Sequence, residues 1–273
     1  MSEPLLLTTT RDGVTTLTMN MPARLNGWTA KMMMALRGGL GQAAADDATK
    51  VVILTGADPY YCAGVNLGAA FKPAHPRTLR DYIAKENAAL FNLFIDFPKP
   101  ILIAVNGPAL GASVTSAVLC DAIIASEKAS FSTPFGELGV TPEGCSSKTF
   151  PALLGQQTAD RILRDEGWKP TAQEALDIGL IHRVVPHEQL MDAAHEMATA
   201  WIASGRTRTY PAGLSPDDLH AINAEESQAL ANAFLSTRFL KGRFQFFWRK
   251  NKRQTALMFL TLWTTRPVWS LFL

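Results

Sequence analysis

Three short, unbroken apolar runs restrict this chain more than any other feature: Val51–Leu54, Ile101–Val105 and Ala122–Ala125. Each is short for a helix and offers no polar face to solvent, so each predicts a strand buried on both sides. Stretches of helical character, Leu79–Phe94 and Ala112–Leu119, lie between them. Strand and helix repeating in this order predict the α/β class with a parallel sheet.

The flanking segments extend that reading. Leu5–Thr10 and Val14–Met19 are Thr-rich apolar runs around Asp12-Gly13, a pair suited to the positive φ angles of a tight hairpin. Met32, Met33, Leu36 and Leu40 recur at helical spacing from about Thr29. These methionines are read as core filler without a functional role. Thr171 and Glu174 form a capping-box pair opening a helix that stops at Gly179,. Beyond Pro186 the chain reads as mostly helical, and no segment resembles a linker.

The formal net charge of +2 predicts no general attraction to nucleic acid or membrane. Cys62, Cys120 and Cys145 are an odd set without paired spacing, which predicts free thiols rather than a disulfide framework or a zinc site. The five histidines show no metal-ligand spacing,. The opening MSEPLLLTTTRDG resembles neither a secretory signal nor an Arg-rich transit peptide,. Thr255–Leu273 is very apolar, but Arg266 and Pro267 interrupt it. That leaves less than the ~20 continuous apolar residues of a spanning helix, so a packed terminal helix is expected.

Two segments place glycines where strands end, which is where open α/β sheets bind ligands. They are TGADPYYCAGVNL, Thr55–Leu67, and KPILIAVNGPALGASVTSAVLCD, Lys99–Asp121. Gly64 and Gly111 permit close backbone approach. From Gly111 the chain enters a helix, so the Ala112 N–H is a free donor at a positive helix end. Two such donors aimed at one oxygen make an oxyanion hole. Either segment alone reads equally well as a structural turn.

Together the two segments, with NGPALG and the later IGLIHRVVP, resemble the enoyl-CoA hydratase/isomerase (crotonase) superfamily over roughly Leu5–Pro186. The resemblance implies repeated ββα units with a helical C-terminal region, assembled as trimers or dimers of trimers. It implies that the N–H groups of Val65 and Ala112 hold the thioester oxygen of an acyl-CoA as it becomes an enolate. It implies CoA contacts from Ala63, Gly64, Val65, Asn66, Leu67 and Gly111, and a basic residue near the CoA at Arg24. Asn66 departs from the Asp of many relatives. Coenzyme A is part of the substrate, and no separate cofactor or metal is implied.

Hydratases of this superfamily carry two glutamates, at positions held here by Thr115 and Phe135. Neither can transfer protons near neutral pH. The run TPFGELGVTPEGCSSKTFP, Thr133–Pro151, instead resembles peroxisomal-type Δ3,Δ2-enoyl-CoA isomerases, whose base is the glutamate of Pro-Glu-Gly, here Glu143. One carboxylate suffices for a 1,3-proton shift from C2 to C4. By itself, a glutamate between Pro142 and Gly144 reads as solvated surface. Glu137 is the rival base, and Cys145 reads as a small buried residue rather than a nucleophile.

The sequence thus predicts conversion of 3-enoyl-CoA to 2-trans-enoyl-CoA in oxidation of unsaturated fatty acids. The expected organisation is a crotonase-like core over residues 1–200 and a helical region over 201–273 for oligomerisation and active-site cover. The alternatives are an atypical hydratase or hydrolase on the same scaffold, or a non-catalytic acyl-CoA-binding or interaction module. Arg238–Arg253, with seven basic and no acidic residues among aromatics, predicts an amphipathic helical region, or else a contact to CoA phosphates, with nucleic acid or anionic lipid as the remaining readings. The compartment stays open between cytoplasm and peroxisome, since Ser270-Leu271-Phe272-Leu273 is not a Ser-Lys-Leu signal,.

Overall fold

A computed structural model describes residues 3–65, 75–164 and 166–273. Strands β1 (Leu6–Arg11) and β2 (Val14–Met19) form the expected hairpin, with Leu6 opposite Met19 and Arg11 opposite Val14. Asp12 and Gly13 take φ of 52° and 80°, as a two-residue turn of this kind requires. The chain then enters α1 (Ala30–Ala45), capped by the Thr29 hydroxyl accepting from Met32 N.

The apolar runs become β3 (Val51–Gly56) and β4 (Ile101–Val105), separated by α2 (Pro76–Ile95). A short β5 (Ala109–Leu110) leads into α3 (Ala112–Val118), and β6 (Ala122–Ser126) is followed by a short β7 (Phe131–Ser132). Four small helices come next: α4 (Phe135–Leu138), α5 (Ser146–Leu154), α6 (Gln156–Leu163) and α7 (Ala172–Asp177). The Thr171–Glu174 capping box opens α7, and Gly179 follows its end at φ 80°. With β8 (Arg183–Val185) the main sheet has the order β1-β2-β3-β4-β6-β8, parallel from β2 onward. The ββα order expected from the sequence is therefore present, in a mixed α/β architecture.

Every residue of β3, β4 and β6 is buried, because helices cover both faces of the sheet. Side chains alternate between faces along a strand. Val51 and Ile53 pack with Leu190, Ala194 and Trp201 of α8 (Leu190–Ala203). Val52 and Leu54 pack with Leu36 of α1 and Phe91 and Phe94 of α2. Each fully buried Leu or Phe contributes roughly 1.5–3 kcal/mol.

β5 and β7 form a second, two-stranded sheet, and single bridges join Cys62 to Ala109 and Trp28 to Val65. These pairings position the two glycine segments.

The C-terminal part is helical: α9 (Pro216–Phe234), α10 (Thr237–Arg249) and α11 (Arg253–Trp269). Its tether is a buried ion pair, Arg208 Nη1 to Asp121 Oδ2 at 2.7 Å. Asp121 also accepts from Ile101 N and Thr209 N, so the buried charge is fully engaged. α9 lies along α2, and Phe234, Phe239, Phe247 and Phe259 join Ile83 of α2 in a third apolar cluster. α10 is amphipathic as expected, although Trp248 is exposed and stacked under Arg253. Arg266 and Pro267 interrupt the apolar run without breaking the helix, since α11 continues through both. Among the described residues no helix is long and apolar enough to cross a membrane.

Candidate active site

The glycine segments meet because Cys62 bridges to Ala109 and Cys62 O accepts from Leu110 N. This sets Gly64 against Leu110. Gly64 has φ 75°, and a β-carbon there would lie 2.6 Å from Leu110 O. Only glycine allows both that angle and that approach. Gly111 has φ 58° and stands immediately before α3. Val65 and Ala112 are the residues after these glycines, and both line one cavity of about 450 Å³. Among the described residues, neither backbone N–H has a protein acceptor. Two backbone donors that converge on one anionic oxygen can stabilise it.

Glu143 lines the same cavity, in the turn between α4 and α5. It is buried, 8% exposed, where a glutamate in a Pro/Gly turn is ordinarily solvated. Gly144 explains the depth. At φ 67°, it sits where a β-carbon would strike Phe91 at 2.4 Å and Thr115 Oγ1 at 2.7 Å. The turn is therefore pressed against α2 and α3. Ser146 Oγ donates to Glu143 O at 2.7 Å and steadies its backbone.

The Glu143 carboxyl is pushed up to about 7, chiefly by burial, with the Asn87 amide pulling it down and Glu226 pushing it up. A carboxyl in that range exchanges protons readily near neutral pH. Asn87 Nδ2 donates to Glu143 Oε2 at 2.6 Å, and Ser227 Oγ donates to Asn87 Oδ1 at 2.8 Å. The amide is thus held with its N–H toward the carboxylate by a hydroxyl from α9.

The remaining sequence-derived positions divide clearly. Ala63, Gly64 and Gly111 line the cavity with Val65 and Ala112. Asn66 and Leu67 lie outside the described residues. Arg24 is exposed in the turn Pro22–Arg24 and is not among the residues lining the cavity, whereas Arg37 of α1 is. No residue of Arg238–Arg253 lines it either. Glu137 is half exposed, 3.8 Å from Lys169 Nζ, and is not among the residues lining the cavity. Thr115 is fully buried and Phe135 nearly so; neither has an ionisable group to offer.

Cys145 is buried, its thiol pushed up to about 12 by desolvation and directed at Leu219 O. That is the chemistry of an inert thiol. Among the described residues no group of His, Cys, Asp and Glu could hold a metal ion.

Several site residues were not singled out from the sequence. Met33, read as core filler, lines the cavity together with Met34, because α1 turns that face toward it. Asn87, Glu226 and Ser227 are polar residues on otherwise apolar buried faces, beside Leu90 and Phe91 on α2 and Leu230 on α9. A polar residue in such a stripe is the available signal, but its partners are far off in sequence. Leu230 and Phe234 bring the C-terminal region into the cavity wall.

Residues 9–250 match the sequence model of the family described as enoyl-CoA hydratase/isomerase. The chain is similar to enoyl-CoA delta isomerase 2 of Homo sapiens, 36% identical over 256 residues, covering 90% of this chain and 64% of that protein. It therefore spans somewhat less than two thirds of that relative's length. It is also similar to the peroxisomal enoyl-CoA delta isomerase 3 of Mus musculus, at 33% identity over 265 residues, covering 90% and 79%. A solved enoyl-CoA hydratase/isomerase from Pseudoalteromonas atlantica T6c superimposes with a TM-score of 0.76 at 26% identity, over 90% of this chain and 98% of that one. The match reaches well past Pro186 into the C-terminal helices. With one family model spanning most of its length and the crotonase fold shared with its structural neighbours, this chain belongs to the enoyl-CoA hydratase/isomerase family.

Proposed function

We propose that the protein converts 3-enoyl-CoA to 2-trans-enoyl-CoA with Glu143 as its proton shuttle, in the oxidation of unsaturated fatty acids. The observation that carries this reading is one buried carboxyl, raised to about 7, in the same cavity as Val65 and Ala112, whose N–H groups have no acceptor among the described residues. Similarity to proteins named enoyl-CoA delta isomerases supports it.

The Val65 and Ala112 N–H groups donate to the thioester oxygen of the bound substrate. Glu143 takes a proton from C2, and the electron pair moves into a dienolate whose oxygen charge those donors stabilise. The 3-ene shifts to C2–C3, and the protonated Glu143 returns its proton to C4. Atoms and charge balance with one acid and no redox change. The apolar walls, including Leu90, Phe135 and Phe234, receive the acyl chain and keep water from the dienolate. In this reading Arg37 and the backbone at Ala63–Val65, all of which line the cavity, contact the CoA portion. Residues 201–273 act as active-site cover and assembly surface, and the protein works as a homotrimer or homohexamer.

The deciding experiment mixes purified protein with 3-enoyl-CoA and follows ultraviolet absorbance of the conjugated thioester. A parallel incubation with 2-trans-enoyl-CoA looks for 3-hydroxyacyl-CoA. Hydration at a rate comparable to isomerisation would overturn this assignment, because neither Thr115 nor Phe135 can activate water.

A further inference from the structure

Behind Glu143 lies a second buried carboxyl that the proton shift does not use. Glu226, on α9, is 6% exposed. Its Oε2 accepts from Cys145 N at 2.7 Å and its Oε1 from Ser147 N at 2.8 Å. These donors flank the first residue of α5, Ser146, the residue whose hydroxyl holds Glu143 O. The turn reaches that geometry through two successive left-handed residues, Gly144 at φ 67° and Cys145 at φ 62°. A non-glycine residue in that region is strained and persists only where its surroundings hold it. Here the two oxygens of Glu226 hold it, at the positive end of a helix.

We propose that Glu226 is a positioning residue for Glu143. Its carboxylate clamps the N–H groups of Cys145 and Ser147, fixes the 143–146 turn, and presents a like charge to the base from the side away from the substrate. This rests on the reading of Glu143 as the proton shuttle. The same helix carries Ser227, which orients Asn87, so α9 sets both the partner and the backbone of Glu143.

The charged groups on the surrounding elements have distinct places. Glu86 of α2 is at the cavity mouth and exposed. Glu137 of α4 is near Lys169, and His220 of α9 is paired with Asp96. Lys148 of α5 acts on Glu226, and Glu226 is the charge that acts on Glu143, raising it. Burial raises Glu226 itself, opposed by its bonds to Ser147 and Cys145 and by Lys148. Two backbone donors on its two oxygens favour the ionised form.

The test compares the full-length wild type with Glu226→Gln and Glu226→Asp. The Glu143 carboxyl is titrated by 13C NMR without substrate, its signal assigned by its loss in Glu143→Gln. In Glu226→Gln, that titration and the acid limb of kcat/KM should both move to lower pH by roughly half a pH unit or more, the scale of losing a nearby like charge. Plateau kcat should fall about tenfold or more with KM little changed, since misplacing a reacting group by an ångström costs up to ~10²-fold. Glu226→Asp keeps the charge but is too short to span both donors. It should lose plateau kcat while its acid limb stays near wild type. Should Glu226→Gln fail to fold, Glu226→Asp with wild-type kcat overturns the clamp. An unmoved Glu143 titration in folded Glu226→Gln overturns the proposal outright. The titration needs no turnover, so a wild type inactive on 3-enoyl-CoA would sink the isomerase reading while this inference is still decided.

Discussion

Asn87 Nδ2 donates to Glu143 Oε2 across 2.6 Å, from a helix 56 residues earlier in the chain. The bond ties Glu143 to α2 and stabilises its ionised form, against burial that favours the neutral one. Removing the donor in Asn87→Ala should therefore raise the Glu143 carboxyl above about 7. The acid limb of kcat/KM should move to higher pH, the direction opposite to that expected for Glu226→Gln. Turnover at neutral pH should fall by ~10–10²-fold, from lost alignment as well as protonation. An acid limb that moves down instead would show that the amide does not stabilise the carboxylate.

Glu143→Gln keeps the side chain's size but cannot accept the C2 proton. Isomerase turnover should drop by at least ~10²–10⁴-fold, while affinity for product CoA thioester, measured by calorimetry, barely changes. Glu137→Gln is the control, since Glu137 is near Lys169 at the surface, and it should keep most activity. Activity lost in Glu137→Gln and retained in Glu143→Gln would identify the other glutamate as the base.

The same substitution has a stability signature. Glu143 is held at about 7 in the folded protein against an ordinary 4.5. A raised carboxyl favours the folded state most fully below 4.5, and that contribution is lost as pH rises towards 7. Above 7 the buried charge is a net cost. Glu143→Gln does not titrate, so its stability relative to wild type should improve between pH 5 and pH 8, by roughly 1–3 kcal/mol. Urea melts at the two pH values measure this; an advantage that does not change with pH would contradict the raised carboxyl.

Ala112 opens α3, where proline is tolerated because the first helical N–H has no helix partner,. Ala112→Pro removes that N–H without removing a protein hydrogen bond. If it is one of two donors to the thioester oxygen, kcat should fall by ~10²–10³-fold while the circular dichroism spectrum stays native. Full activity in a folded Ala112→Pro would exclude this donor.

Leu257, Val268, Leu271 and Phe272 are exposed on and just beyond α11, apolar surface that suits burial between subunits. Sedimentation should give a trimer or hexamer at micromolar concentration. Deleting residues 255–273 should weaken assembly or solubility, since it also removes Phe259 from the cluster around Phe239 and Phe247. A stable monomeric wild type would refute the assembly, and release of the protein from membranes by the deletion would point to anchoring.

Local pattern was enough for the elements themselves. Asp12-Gly13 set the hairpin, the runs at Val52 and Ile103 set strands buried on both sides, and Thr171 with Glu174 set the start of α7. These depend on backbone preference and on which faces must leave water, and both are written in neighbouring residues. Glu143 was nominated by the resemblance of its Pro-Glu-Gly phrase, not by local pattern, and the structure brings Glu143, Gly64 and Gly111 to one cavity. What the sequence could not determine is the setting of the Glu143 carboxyl. Its burial comes from Gly144 meeting Phe91 and Thr115, its orientation from Asn87, and its backing from Glu226. Those contacts join residues distant in sequence, 56 positions apart for Asn87 and Glu143 and 81 for Cys145 and Glu226, and the backing from Glu226 exists only once α9 has packed along α2. A carboxyl's proton affinity depends on what surrounds it in space, and only the tertiary structure supplies those surroundings.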